Sequence, residues 1–184
     1  NLYKKNLKKL IKANAYYPSL EHDACGVGLV VSTEGKKSRK VVEFGIEALK
    51  AVWHRGAVDA DGKTGDGAGI HIEIPTNFFK EKIENYGRQY RGGAICIGMI
   101  FLPRNDYSSQ EKCKTLIETE LLSKNYYIYR WRQVPINTGV LGIKAENNRP
   151  EITQIIFKSN NKNLIGEELE RDLFAIRKKI EKQS

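Results

Sequence analysis

The chain has 184 residues, 40% of them hydrophobic and 29% charged, with a formal net charge of +9 from 31 Lys and Arg against 22 Asp and Glu. That length supports one domain with a real core, and no stretch approaches the roughly 20 consecutive apolar residues of a membrane span. Three cysteines, Cys25, Cys96 and Cys113, are too few and too irregularly spaced for a disulfide framework or a zinc site, which points to a reducing, cytoplasmic setting.

Residues 2–13, with Leu2, Tyr3, Leu7, Leu10 and Ile11 among lysines, predict a short basic amphipathic helix. It is too short and too poor in apolar residues to favour a membrane surface over a solvated lead-in, and no apolar signal-peptide core precedes it. Tyr16-Tyr17-Pro18 breaks it. Residues 25–32 read as a buried strand and Glu34-Gly35-Lys36 as a turn. Residues 39–54 carry Val42, Ile46, Leu49 and Val52 or Trp53 on one helical stripe, which His54-Arg55-Gly56 closes. A loop rich in Gly, Asp and Thr runs to Gly69, and Ile70-His71-Ile72-Glu73-Ile74 alternates as a half-buried strand does before Pro75. A helix over 77–84 and a continuous apolar strand over 94–102 follow. Ser108 or Ser109 can cap a helix to about Leu122. Strands over 126–134 and 152–157 and a helix over 166–180 complete the chain. No internal repeat and no linker long enough to divide two domains is visible, and the alternation of elements indicates a mixed α and β fold.

The positive charge can recruit nucleic acid. It concentrates, however, in the first dozen residues, in 35–40 and in Arg177-Lys178-Lys179-Ile180-Glu181-Lys182, runs that lack the interleaved aromatics on which bases stack. A bias toward lysine and asparagine explains the charge as well as a polyanion partner does, so neither nucleic acid nor membrane is expected as a partner. A non-catalytic basic module binding nucleic acid or an anionic surface is the competing reading from another class.

The segment most suited to chemistry is Glu21-His22-Asp23-Ala24-Cys25-Gly26-Val27-Gly28, a thiol at the mouth of an apolar run with glycines beside it. Cysteine attacks as thiolate, so it needs a base or a positive environment. His22 with Asp23 lies close by, but residues two and three apart on an extended segment rarely converge as a triad must. His54 is a second candidate base. A third arises if the Ala24–Cys25 bond is cut, because the new α-amine, with a pKa of about 7.7–8.0, then sits beside the thiol. Against all three stands a buried structural thiol, a role cysteine often has. Cys96 reads as core and Cys113 as half-buried packing on a helix. Arg55, between a helix and a glycine, can hold a carboxylate by forked hydrogen bonds or cap the helix C-terminus. Thr64-Gly65-Asp66-Gly67-Ala68-Gly69 lacks Gly-Lys-Ser or Gly-Lys-Thr and leads into a strand, so close backbone packing beside a site suits these glycines better than phosphate binding.

Taken together, His22-Asp23-Ala24-Cys25-Gly26-Val27-Gly28, His54-Arg55-Gly56-Ala57 and Lys63-Thr64-Gly65-Asp66-Gly67-Ala68-Gly69-Ile70 resemble the class II glutamine amidotransferase domain that opens glutamate synthase large subunits. Gly98-Met99-Ile100-Phe101-Leu102-Pro103, Trp131-Arg132-Gln133-Val134-Pro135, Val140-Leu141-Gly142 and Leu173-Phe174-Ala175-Ile176-Arg177-Lys178 extend the resemblance in order over nearly the whole chain. Another class II amidotransferase is the runner-up within the fold, against which the Thr64–Gly69 loop and the Trp131–Pro135 segment argue.

The resemblance implies an α+β, four-layer αββα N-terminal-nucleophile hydrolase sandwich, incomplete at its C-terminal side. Residues 1–24 would be a leader and 25–184 the first part of the amidotransferase domain. Cys25 would be the nucleophile that hydrolyses glutamine through a thioester, with Arg55 and Gly56 ordering the site. The ammonia would serve glutamate formation from 2-oxoglutarate in the full subunit, an oxidoreductase. Implied partners are glutamine, the remaining domains of the same subunit and a small NADPH-oxidising subunit. FMN and a 3Fe–4S iron–sulfur cluster are implied for the full subunit, with no cofactor or metal in this segment. The family's Asn-Gly pair and its Arg-Tyr/Phe-Ser-Thr-Asn segment do not occur among these residues. The chain, which begins with Asn1, is therefore expected to be a piece of a longer protein. Alone it is expected to be inactive, with apolar sheet surface exposed.

Overall fold

Ile155 and Ile156 are neighbours in sequence and are 1% and 0% exposed, yet they belong to different hydrophobic clusters. Successive side chains of a strand point to opposite faces, so only a strand covered on both sides buries both. That strand is β3 (Glu151–Ser159), the middle member of a three-stranded antiparallel sheet. Its neighbours are β1 (Cys96–Leu102) and β2 (Tyr126–Gln133). The computed structural model describes residues 2–13, 26–53 and 56–183. It falls into two compact units, Asn1–Val52 and Trp53–Ser184.

In the second unit, one face of the sheet is covered by α4 (Tyr107–Ser123) and α6 (Gly166–Glu181). Ile117 and Leu121 of α4 and Leu169 and Ile176 of α6 meet Cys96, Tyr126, Ile155 and Phe157 there. Polar contacts pin the same layer. The Tyr126 hydroxyl donates to Asp172 Oδ2 at 2.7 Å, and Trp131 Nε1 donates to Glu118 Oε1 at 2.6 Å. The other face receives Phe79 and Ile83 of α3 (Thr76–Glu84), which pack with Ile95, Tyr129 and Ile156. Burying each such large apolar side chain contributes about 1.5–3 kcal/mol.

Two local features set the sheet's geometry. Gly98 of β1 lies opposite Ile155, and a Cβ there would come 2.7 Å from Ile155 Cγ2. The pairing of β2 with β3 shifts between Ile128 and Arg130, so Tyr129 is an inserted residue in a bulge. Tyr127 and Tyr129, two apart, both join the α3-side cluster, and the inserted residue then shifts the phase so that Trp131, opposite Ile155, packs on the α4–α6 side.

The expected strands at 94–102, 126–134 and 152–157 correspond to β1, β2 and β3, and the helices expected at 77–84 and 166–180 to α3 and α6. Helix α4 begins earlier than its serines suggest. Asp106 is the cap, its carboxylate accepting from Ser109 N at 3.0 Å and Ser109 Oγ at 2.6 Å. A carboxylate satisfies backbone and hydroxyl donors at once, so Asp106 displaces Ser108 and Ser109 as the cap. A short helix, α5 (Ile143–Asn148), preceded by a 3₁₀ turn at Thr138–Val140, was not anticipated.

The first unit contains α1 (Leu2–Lys12) and α2 (Arg39–Ala51), and none of its described residues is buried. Helix α2 is capped by Ser38, whose hydroxyl accepts from Lys40 N at 3.1 Å. The strand expected over 25–32 does not form among its described residues. Residues 26–32 pair with no other strand, and Val27 and Leu29 are 95% and 86% exposed. In the second unit, residues 70–74 likewise form no ladder, and Ile70, Ile72 and Ile74 are all exposed. The reason is shared: an alternating pattern marks a segment that can be a strand, but a ladder needs a neighbour to take its N–H and C=O groups. Among the described residues there is one small antiparallel sheet with helices against it, a mixed α and β arrangement. No helix of the described residues is long and apolar enough to cross a membrane.

Candidate active site

Cys25, Arg55, His22, Asp23 and His54 lie outside the described residues. Gly56 is described and opens a short, internally bonded loop. Its N–H donates to Trp53 O at 3.0 Å. Val58 and Gly65 form an isolated antiparallel bridge. Asp59 N donates to Thr64 O at 2.7 Å, and Gly62 N to Asp59 O at 2.9 Å, which closes the tip.

Three carboxylates organise this loop. Asp66 Oδ2 accepts from Ala57 N at 2.8 Å, while Asp66 N donates to Ala57 O at 3.2 Å. Asp59 Oδ1 accepts from Ala60 N at 2.6 Å. Asp61 Oδ1 accepts from Lys63 N at 3.0 Å and Thr64 N at 2.7 Å, and its Oδ2 accepts from the Thr64 hydroxyl at 2.6 Å. The Thr64 hydroxyl, then the Thr64, Lys63 and Ile143 backbone N–H groups, hold Asp61 down at a pKa of about 2. These bonds stabilise the ionised carboxylate directly.

The same bonds decide what the loop does not do. A phosphate cradle needs backbone N–H groups free to converge on an anion. Here the N–H groups of Ala57, Ala60, Lys63 and Thr64 already meet carboxylates of their own loop. Of the glycines expected to pack closely, Gly65 does, since a Cβ there would lie 2.8 Å from Ala57 O. Gly67 and Gly69 face open space, so close packing does not account for them.

Several quoted motifs have structural work. Arg132 Nη1 donates to Gln154 Oε1 and Gln133 Nε2 to Glu151 Oε1, each at 2.6 Å, so Trp131–Pro135 is the fastened end of β2. Gly98–Pro103 comprises most of β1 and the proline just past its end, and Leu173–Lys178 is part of α6. Cys96 is buried, and burial raises its thiol to about 11, so it stays protonated and inert. Cys113 is half-buried. A cleft of about 540 Å³ lined by Lys82, Tyr86, Arg130 and Arg132, with Asn85, Gln133 and Pro135, contains none of the expected site residues. Among the described residues no three His, Cys, Asp or Glu side chains gather where a metal ion could be held.

Sequence reasoning missed the role of Gly142. A Cβ on Gly142 would overlap Thr64 Oγ1 and Asp61 Oδ2 and would lie 2.5 Å from Thr64 N. Lys144 Nζ reaches Asp59 Oδ2 at 2.6 Å. The Asp61-to-Thr64 spacing is a local signal for a side-chain-closed turn, but nothing local links that turn to Gly142.

Residues 25–184 match the profile of the family described as glutamine amidotransferases class-II. The chain is 54% identical over 180 residues to the glutamate synthase (NADPH) large chain of Azospirillum brasilense, covering 98% of this chain and 12% of that protein. It is 40% identical over 163 residues to the ferredoxin-dependent glutamate synthase of Pyropia yezoensis, covering 88% and 10%. It is 32% identical over 168 residues to the glutamate synthase (NADPH) large chain of Bacillus subtilis, covering 90% and 11%. The chain thus spans only about a tenth of the length of these relatives.

Proposed function

We propose, because this chain belongs to the class-II glutamine amidotransferases, that it is the part of a glutamate synthase large subunit that begins the release of ammonia from glutamine. The observation that carries this reading is the family match, which starts at Cys25, together with 54% identity to a glutamate synthase large chain over 98% of this chain. The relatives named above are glutamate synthases, which favours this reading over another class II amidotransferase.

In this reading residues 1–24 are a leader and Cys25 becomes the first residue of the working enzyme. Its α-amine, with a pKa of about 7.7–8.0, takes the thiol proton. The thiolate attacks the side-chain amide carbon of glutamine, and the C–N bond breaks as ammonia leaves with that proton. Water then attacks the γ-glutamyl thioester, releasing glutamate and restoring the thiol. Arg55 and Gly56 order the site beside the nucleophile. The ammonia passes to 2-oxoglutarate elsewhere in the subunit. The segment contains none of the family's Asn-Gly oxyanion donors, so the activity is assigned to the complete subunit and the isolated chain is inactive.

The four-layer αββα sandwich is part of the same proposal. Residues 26–32 and the alternating run 70–74 form no ladder among the described residues and leave Val27, Leu29, Ile70, Ile72 and Ile74 exposed, which suits strands of a second sheet completed by further chain. FMN and the 3Fe–4S cluster are assigned in this reading to other domains of the subunit. A small NADPH-oxidising subunit is the proposed partner for reduction.

The test is made in the full-length protein. Cys25→Ala is expected to abolish glutamine-dependent glutamate formation and to leave ammonia-dependent formation intact, and N-terminal sequencing of the wild type is expected to begin at Cys25. Glutamine-dependent activity surviving in Cys25→Ala would sink the reading.

A further inference from the structure

We infer that Asp66 is a positioning residue for the Gly56-Ala57 backbone of the glutaminase site, and that Gly142 secures the same loop at its far end by seating the Asp61–Thr64 pair. The inference rests on the glutaminase reading above and adds to it residues that act by holding the loop's backbone and its Asp61–Thr64 pair.

At the near end, Ala57 is the second residue after Arg55, and both of its backbone groups are held by one residue. Its N–H donates to the Asp66 carboxylate at 2.8 Å, and its carbonyl accepts from Asp66 N at 3.2 Å. Gly65 makes this approach possible, because a Cβ there would lie 2.8 Å from the Ala57 carbonyl oxygen. Gly56 is held in turn through its N–H to Trp53 O at 3.0 Å. The backbone of Gly56 and Ala57 is therefore bonded to residue 53 on one side and to residue 66 on the other.

At the far end, the Asp61 carboxylate accepts three hydrogen bonds, two from Thr64 and one from Lys63 N, in a compact knot. Gly142 packs so closely on it that any side chain would overlap both Asp61 and Thr64. Lys144, two residues on, adds its ion pair with Asp59. Between residues 56 and 66 the half-buried positions are Asp59, Asp61 and Thr64, which meet the 142–144 segment, whereas apolar Val58 is exposed. No apolar side chain of the loop is buried, so its hydrogen bonds and the Gly142 contact set its shape. A site must be held within about 0.5 Å of its productive geometry by supporting residues of this kind. The Val140-Leu141-Gly142 and Thr64-Gly65-Asp66 motifs, far apart in sequence, thus act as one device.

The experiment compares Asp66→Ala, Asp66→Asn and Gly142→Ala in the full-length protein, with Cys25→Ala as control, each assayed with glutamine and with ammonia. Asp66→Ala and Gly142→Ala are expected to raise KM for glutamine by about 10- to 100-fold. Ammonia-dependent turnover should stay at the wild-type level. Asp66→Asn keeps a carbonyl oxygen able to accept from Ala57 N, so it is expected to restore KM to within about threefold. A wild-type KM in Asp66→Ala overturns the inference, as does an Asp66→Asn variant no better than Asp66→Ala. Parallel loss of glutamine and ammonia activity in both Asp66→Ala and Gly142→Ala also overturns it, because that is the signature of a damaged fold. The control separates the two levels: if Cys25→Ala keeps glutamine-dependent activity, the glutaminase reading itself fails.

Discussion

Residues 70–74 and strand β3 are both isoleucine-rich and end in opposite states. Ile72 is 43% exposed on an extended segment without a ladder, whereas Ile156 is 0% exposed at the centre of a sheet. Both are rich in β-branched isoleucine, but 70–74 alternates with polar residues while β3 carries the adjacent run Ile155-Ile156-Phe157. What separates them is company. β3 has a hydrogen-bonding partner on each side and a helical layer against each face, while 70–74 and 26–32 have no strand partner among the described residues. The hydrophobic driving force acts through area removed from water, so the same isoleucine contributes strongly in one place and little in the other. A three-stranded sheet with helices against both faces can therefore close on its own once it has a central strand with two neighbours.

The sharpest way to break this comparison is to truncate the same residue type in both regions. Ile156→Ala is expected to destabilise the chain by about 2–5 kcal/mol, read as a lower denaturant midpoint. Gly98→Ala should cost about 1–3 kcal/mol, because the added methyl enters the space of Ile155 Cγ2 and the sheet must shift. Ile72→Ser and Leu29→Ser are expected to change stability by no more than about 0.5 kcal/mol in this chain. If either exposed substitution proved as costly as Ile156→Ala, the segment would be paired in solution and the contrast would collapse. The smallest effect concerns the loop. The Asp61 carboxyl is expected to titrate near 2 in the folded chain, against 3.8 ordinarily. A depressed folded pKa means that its contribution is fully present above about 3.8 and is lost as pH falls toward 2. Thr64→Val removes the hydroxyl donor and should move the Asp61 midpoint, followed by carboxyl NMR, back toward 3.8. A midpoint unmoved by that change would refute the Asp61–Thr64 knot.

Legibility followed the range of the interactions. The long apolar run that became β1, the central strand β3 and the amphipathic α6 were readable because each pattern repeats over a whole element. The start of α4 was misplaced because two serines and Asp106 compete over a few residues, and only the bonds to Ser109 settle the competition. Helix α5 was missed because six residues hold too little periodicity to register. The Lys144–Asp59 pair joins positions 85 apart, and the Gly142 contact likewise joins distant stretches of the chain, so neither leaves a local mark. The chemical motif around Cys25 behaves in the opposite way. Its residue types mark a candidate nucleophile, and the family match begins at that position.

By itself the sequence determined the family, the candidate nucleophile and the identity of most helices and strands, since motif order and side-chain period are written along the chain. Tertiary structure alone decided which alternating segments became paired strands, where the β2 bulge puts Tyr129, and how residues 142–144 meet the Asp61–Thr64 knot. Those outcomes depend on neighbours distant in sequence. Hydrogen bonds between strands and the close approach of a glycine exist only once the chain has brought the two sides together.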